Sequence, residues 1–114
     1  MVSADLDFAY LTTAGRRTGT PHRIEIWFAL SGQTVFMLSG AREQSDWVRN
    51  IMASKEVTLQ IGDETRATSA RLLEAGTDQD ALARLLLVKK YASRDPDDLS
   101  QWGRESLAIA IEWE

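Results

Sequence analysis

His22-Arg23-Ile24-Glu25-Ile26-Trp27-Phe28-Ala29-Leu30, then Ser31-Gly32-Gln33, then Thr34-Val35-Phe36-Met37-Leu38-Ser39 is the stretch on which the fold turns. In the first run Ile24, Ile26, Phe28 and Leu30 alternate with Arg23, Glu25, Trp27 and Ala29, a period of two that sends the two sets to opposite faces of one strand. The Ser-Gly-Gln link supplies turn residues, so the return run, with Val35 and Met37 opposite Phe36 and Leu38, closes an antiparallel hairpin. The return strand is apolar on both sides, and a strand of that kind is covered on both faces.

The same alternation recurs outward from this hairpin. Phe8–Thr13 is short, apolar and rich in β-formers, and it runs into the loop Gly15-Arg16-Arg17-Thr18-Gly19-Thr20-Pro21. Val57, Leu59 and Ile61 alternate with Glu56, Thr58 and Gln60, Gly62-Asp63-Glu64 turns, and Thr65–Leu73 returns as a second hairpin. Leu107, Ile109, Ile111 and Trp113 form one more alternating strand. Two segments change period. Trp47, Val48, Ile51 and Met52 have helical spacing after a cap between Gln44 and Asp46, and Asp78–Tyr91 sets Ala81, Leu82, Leu85, Leu86 and Lys89 on one helical face. Asp78 and Asp80 complement the positive start of that helix. Ala92–Gly103 is polar and reads as a loop or short helical turn. The expectation is a mainly β (α+β) chain, one domain over residues 1–114, with about six antiparallel strands and two to three helices in a small closed or partly open β-barrel.

Composition removes several function classes. The chain has 114 residues and a formal net charge of −4, which argues against a nucleic-acid binder. Its longest apolar run, Leu85-Leu86-Leu87-Val88, falls far short of the ~20 residues that span a bilayer. Met1-Val2-Ser3-Ala4-Asp5 lacks the basic-then-apolar order of a signal peptide, so a cytoplasmic protein without an integral membrane segment is expected. With no cysteine and a single histidine, disulfides, thiolate nucleophiles and clustered metal ligands are not expected.

The charge is unevenly spread. Residues 1–55 hold six basic and five acidic side chains, whereas residues 56–114 hold seven and twelve. From Thr12 to Ile24 there are three arginines, one histidine and no acid, which points to a local anion site. Within it, two glycines bracket two guanidinium groups and a hydroxyl, suited to a phosphate or carboxylate. A solvated turn with two surface arginines is the other reading of the same residues. The loop lacks the Gly-Lys-Ser/Thr ending of a P-loop and the Gly-x-Gly-x-x-Gly of a dinucleotide fold.

A second cluster, Ser39-Gly40-Ala41-Arg42 followed by Asp46-Trp47-Val48-Arg49-Asn50, lies at a strand-to-helix junction, where free backbone N–H groups favour an anion. Trp47 reads equally as core. No Gly-x-Ser-x-Gly elbow or hydroxyl partner for His22 suggests a hydrolase. His22 suits hydrogen bonding or anion contact, with haem ligation as an alternative. Tyr91 and Trp102 either line an apolar substrate mouth or pack inside. No side chain is assigned a catalytic role, so a bound cofactor is expected to carry the chemistry.

Leu11-Thr12-Thr13-Ala14-Gly15-Arg16-Arg17-Thr18-Gly19-Thr20-Pro21, then Trp27-Phe28, then Asp46-Trp47-Val48-Arg49-Asn50, resembles the deazaflavin-dependent nitroreductase family, small coenzyme F420-dependent oxidoreductases. The order and spacing hold along essentially the whole chain, including Lys90-Tyr91. The resemblance implies a split β-barrel of the FMN-binding, flavin-reductase type. It implies that Arg16, Arg17, Thr18, Pro21 and His22 hold the cofactor's phosphate and flank its ring. Ser39, Gly40, Ala41 and Arg42, with Trp47, join the same site, and Ile24 and Trp27 contact the ring. The implied activity is hydride transfer from reduced F420 to a quinone, nitroaromatic or activated alkene. FMN in the same barrel, and a non-catalytic cofactor- or tetrapyrrole-binding protein, stand as alternatives. The expected partners are the cofactor and an acceptor substrate, with a homodimer as an open assembly.

Overall fold

The computed structural model describes residues 4–113, so Met1-Val2-Ser3, part of the expected leaderless start, lie outside the described residues. Strands β1 (Ala9–Ala14), β2 (Pro21–Ile26), β3 (Ala29–Ser31), β4 (Thr34–Ser39), β5 (Glu56–Ile61), β6 (Glu64–Leu72) and β7 (Leu107–Glu112) form a single antiparallel sheet in the order β2-β1-β5-β6-β7-β4-β3. Helices α1 (Asp46–Ala53), α2 (Asp78–Ala92) and α3 (Ser100–Glu105) join it, with a short 3-10 turn at Arg42–Gln44.

The count of strands differs from the sequence expectation in one place. His22–Leu30 is not continuous: pairing stops at Ile26 and resumes at Ala29 on a different neighbour, β1 giving way to β4. β2 and β3 stand at opposite ends of the sheet, yet only Trp27 and Phe28 separate them. Three residue steps reach at most about 11 Å. The sheet must therefore roll until its two ends meet, which makes it a split β-barrel. The facial alternation survives the break, because Ile24, Ile26, Phe28 and Leu30 pack on the barrel interior while Trp27 and Ala29 face the other side.

β7 shows the same two-sidedness. Leu107, Ile109 and Ile111 join the interior cluster with Leu11, Val35, Met37 and Leu59. Ala108 and Ala110 instead face α2, and their small side chains let the helix lie close to the sheet against Phe36, Leu87 and Tyr91. α1 covers one end of the barrel with Val48 and Ile51, while Met52 stays 60% exposed. The fully buried residues of α2 are Asp80, Ala83, Leu87 and Tyr91; of the expected arc from Ala81 to Lys89, Leu82 and Leu86 pack half-buried against the same cluster, whereas Leu85 is 64% exposed. The helix is apolar over a broad arc, so periodicity alone did not fix its rotation. It starts at Asp78 as expected, and Thr77 caps it by accepting from the Asp80 N–H. Within Ala92–Gly103 the end is helical, the beginning of α3, and its Arg84 tether runs from Asp80 to the Gly103 carbonyl.

The meeting of the sheet ends is fastened from α2. Lys90 Nζ donates to the Phe28 carbonyl at 2.8 Å and lies 3.7 Å from the centre of the Phe28 ring. Tyr91 Oη accepts from the Phe28 N–H at 3.0 Å and donates to the Asp7 carbonyl at 2.7 Å. Burial, aided by the Arg94 charge and opposed by Asp7 and Asp5, pushes the Lys90 ammonium down to about 8. An unfolded lysine keeps its proton to about pH 10.4. Between those values the unfolded chain binds more protons, so stability rises with pH there and is lowest below pH 8, where both states are charged. Urea midpoints from pH 7 to 10 should climb for the native chain and lose that climb in Lys90→Met; an identical slope in the variant would assign the effect to another group.

Candidate functional site

The Gly15–Gly19 loop continues β1 into β2, and its shape follows from its hydrogen bonds. Gly15 N donates to the Thr20 carbonyl and Gly19 N to the Gly15 carbonyl, both at 2.8 Å, with Gly19 at φ +76. The left-handed conformation at Gly19 is one that L side chains rarely adopt. Gly15 is needed for a different reason: a Cβ there would stand 2.8 Å from His22 Nε2 and 3.1 Å from the Thr20 carbonyl. The His22 imidazole thus lies directly against the loop backbone, across the strand pair from Thr13.

Opposite the loop stands α1. Asn50, 3% exposed, accepts through Oδ1 from the Arg16 main-chain N–H at 3.2 Å and from Arg16 Nη1 at 3.0 Å. Its Nδ2 donates to Thr13 Oγ1 at 3.0 Å. Asp46, one turn earlier, pairs with Arg16 Nη2 at 3.3 Å. Loop, β2 and α1 enclose a cleft of about 730 Å³, within the usual range for small-molecule sites. Arg16, Arg17, Thr18, Pro21 and His22 line it on the loop and strand side, with Ile24 and Trp47 as apolar walls. Arg17 is exposed and makes no hydrogen bond or ion pair among the described residues, whereas Arg23 is held by Gln60 and lies over the Tyr10 ring.

The structure separates the other candidates from this cleft. Ser39 is buried, and its hydroxyl donates to the Arg42 carbonyl. Arg42, at φ +54, turns its guanidinium to the Glu105 carbonyl at 2.7 Å and to Glu43. Gly40 and Ala41 belong to that turn, which ties β4 to α3, and none of these four lines the cleft. Trp27 packs on the far face of the sheet, stacked on Tyr91 at 4.2 Å and edge-on to Trp102 at 5.4 Å.

Tyr91 and Trp102, the expected substrate mouth, lie with Trp27 on that far face and not at the cleft. Tyr91 is 1% exposed, with one ring face on Trp27 and its hydroxyl engaged by Phe28 and Asp7. Burial raises its phenol above the ordinary range. Trp102 is half-buried beside Gly40. Asn50 and Asp46 carry the cleft more than the loop motif suggested; four residues apart on α1, they share a face, which is the signal that could have found them.

The family model for F420H2-dependent quinone reductases matches residues 3–112. The chain belongs to that family. It is therefore an oxidoreductase of the F420-dependent class. Among solved structures, an F420H2-dependent reductase superposes with a TM-score of 0.77 at 19% identity, covering 93% of this chain and 94% of that one. The haem-storage protein HutZ from Vibrio cholerae matches with a TM-score of 0.75 at 14% identity, covering 95% and 82%. A FAD-binding protein from Mesorhizobium loti matches with a TM-score of 0.67 at 17% identity, covering 97% and 83%. At these identities the likeness extends to the fold, the split barrel that this reductase shares with flavin-binding proteins. Among the described residues no helix is long and apolar enough to cross a membrane.

Proposed function

We propose that the chain is a two-electron reductase that holds F420H2 in the cleft between the Gly15–Gly19 loop, β2 and α1 and reduces a small planar electrophile, a quinone before a nitroaromatic or activated alkene. The observation that carries this reading is the exposed Arg17 guanidinium, without a partner among the described residues, on a cleft to which Ile24 and Trp47 contribute apolar surface. It fits a group with an anionic tail and a flat ring: the cation meets the charge, while Ile24 and Trp47 offer apolar contact. When bound, reduced F420 supplies the hydride.

The chain's own part is to bind and orient. Arg17, with Thr18 and His22 beside it, sets the position of the anion, and Pro21 stiffens the turn into β2. Trp47, half-buried on α1, limits the water that reaches the apolar wall. With the Tyr91 ring buried, the acceptor's contacts come from the cleft lining. A homodimer is part of the same proposal, supported by a solved domain-swapped dimer that shares the fold at 19% identity.

Fluorescence titration with F420, and absorbance titrations with FMN and haem, test the reading. F420 should bind in preference to both, and F420H2 oxidation should be fastest with a quinone. Tight FMN or haem binding with no F420 binding would replace it with one of the alternatives.

A further inference from the structure

We infer that Asn50 is a positioning residue that gives the two adjacent arginines opposite duties, Arg16 as a strut to α1 and Arg17 as the cation that meets the ligand's phosphate or carboxylate. The inference rests on the cofactor reading above. Asn50 and Thr13 are 3% and 2% exposed, and both polar ends of the carboxamide are engaged, Nδ2 by Thr13 Oγ1 and Oδ1 by two Arg16 N–H groups. A buried amide used at both ends has one orientation available to it.

Because one of the two bonds to Oδ1 comes from the Arg16 main chain, Asn50 fixes the backbone at the start of the loop as well as the side chain. The Gly15–Thr20 and Gly19–Gly15 bonds then carry that constraint around the turn, so Arg17 projects away from the protein instead of folding onto α1. Asp46 offsets the Arg16 charge. Arg23 is occupied by Gln60 and Tyr10. The uncommitted positive charge of the cleft is thereby concentrated on Arg17, with the His22 imidazole as its neighbour. A neutral carboxamide suits this task, since it offers an acceptor to Arg16 without placing a second carboxylate beside an anion site.

Two measurements test the assignment, one without any ligand. Brief treatment with phenylglyoxal, mapped by tandem mass spectrometry, should label Arg17 well before Arg16 in the native chain and label both in Asn50→Ala. Equal labelling in the native chain would overturn the division of duties whether or not F420 binds. In F420 titrations, Arg17→Ala should weaken binding about tenfold, the worth of one charge-assisted bond, and flatten its dependence on salt. Asn50→Ala should weaken binding and flatten the salt dependence to a similar extent, and the double variant should be within about twofold of the weaker single, because both act through one guanidinium. Losses that multiply, or a lowered melting temperature with unchanged affinity and salt slope, would reduce Asn50 to a structural residue. Failure of the native chain to bind F420 would count against the cofactor reading, while the labelling pattern would still decide the roles of the arginines.

Discussion

Tyr91→Ala should cost about 3–5 kcal/mol of folding stability, the range for removing a large buried aromatic side chain. The ring is 1% exposed, stacks 4.2 Å from Trp27, and gives the Phe28 N–H its acceptor where the two ends of the sheet meet. Its loss opens a cavity and strands a buried donor at the same point. A domain of this kind has about 5–15 kcal/mol in total, so the variant should melt far below the native chain. Tyr91→Phe keeps the stack and loses only the hydroxyl's bonds, which should cost about 1–3 kcal/mol. Urea denaturation of the three proteins checks both values. If the alanine variant were as stable as the native chain but had changed its preference among quinones, Tyr91 would belong at the substrate after all.

Gly15→Ala should act in the opposite way, with a large effect on catalysis and a small one on stability. The new Cβ would stand 2.8 Å from His22 Nε2, so the imidazole must leave its place, and the nearby Thr20 carbonyl at 3.1 Å pushes the loop as well. His22 is exposed, and moving it uncovers no core. Misplacing a positioning loop by about 1 Å can cost about 100-fold in rate, and kcat/KM with F420H2 and a quinone should fall by that order. The clash has a remedy that identifies it: in a His22→Ala background only the 3.1 Å approach to the Thr20 carbonyl remains, so adding Gly15→Ala should cost much less than it does in the native chain. Independent, multiplying losses would mean that Gly15 matters for a reason other than its approach to His22.

The barrel was legible because alternation is a local property. Each of Ile24, Ile26, Phe28 and Leu30 faces the interior as the period of two requires. The break at Trp27–Phe28 was not legible, since no glycine or proline marks it and the exchange of β1 for β4 as partner depends on how the sheet rolls. The loop's interest in anions was visible in its two arginines and two glycines, but the distinction between Arg16 and Arg17 was not. It depends on Asn50 and Asp46, 34 and 30 residues away. For Tyr91, which borders the polar Ala92–Gly103 segment, the sequence leaves a substrate mouth and the core both open. The spacing Ala83, Leu87, Tyr91 along α2 carried the second reading, that the ring continues the helix's buried row.

The position of β7 between β6 and β4 has a consequence for how the protein is made. While a ribosome is still translating toward Glu112, the emerging chain can pair β2-β1-β5-β6 and, separately, β3 with β4. The edges that β7 will join, on β6 and β4, meanwhile expose unpaired backbone groups beside Val35, Met37 and Ala70, a template for pairing with another chain. Barrel closure therefore waits for β7, and slow translation of Leu107–Glu112 would lengthen the interval in which those two edges stay open.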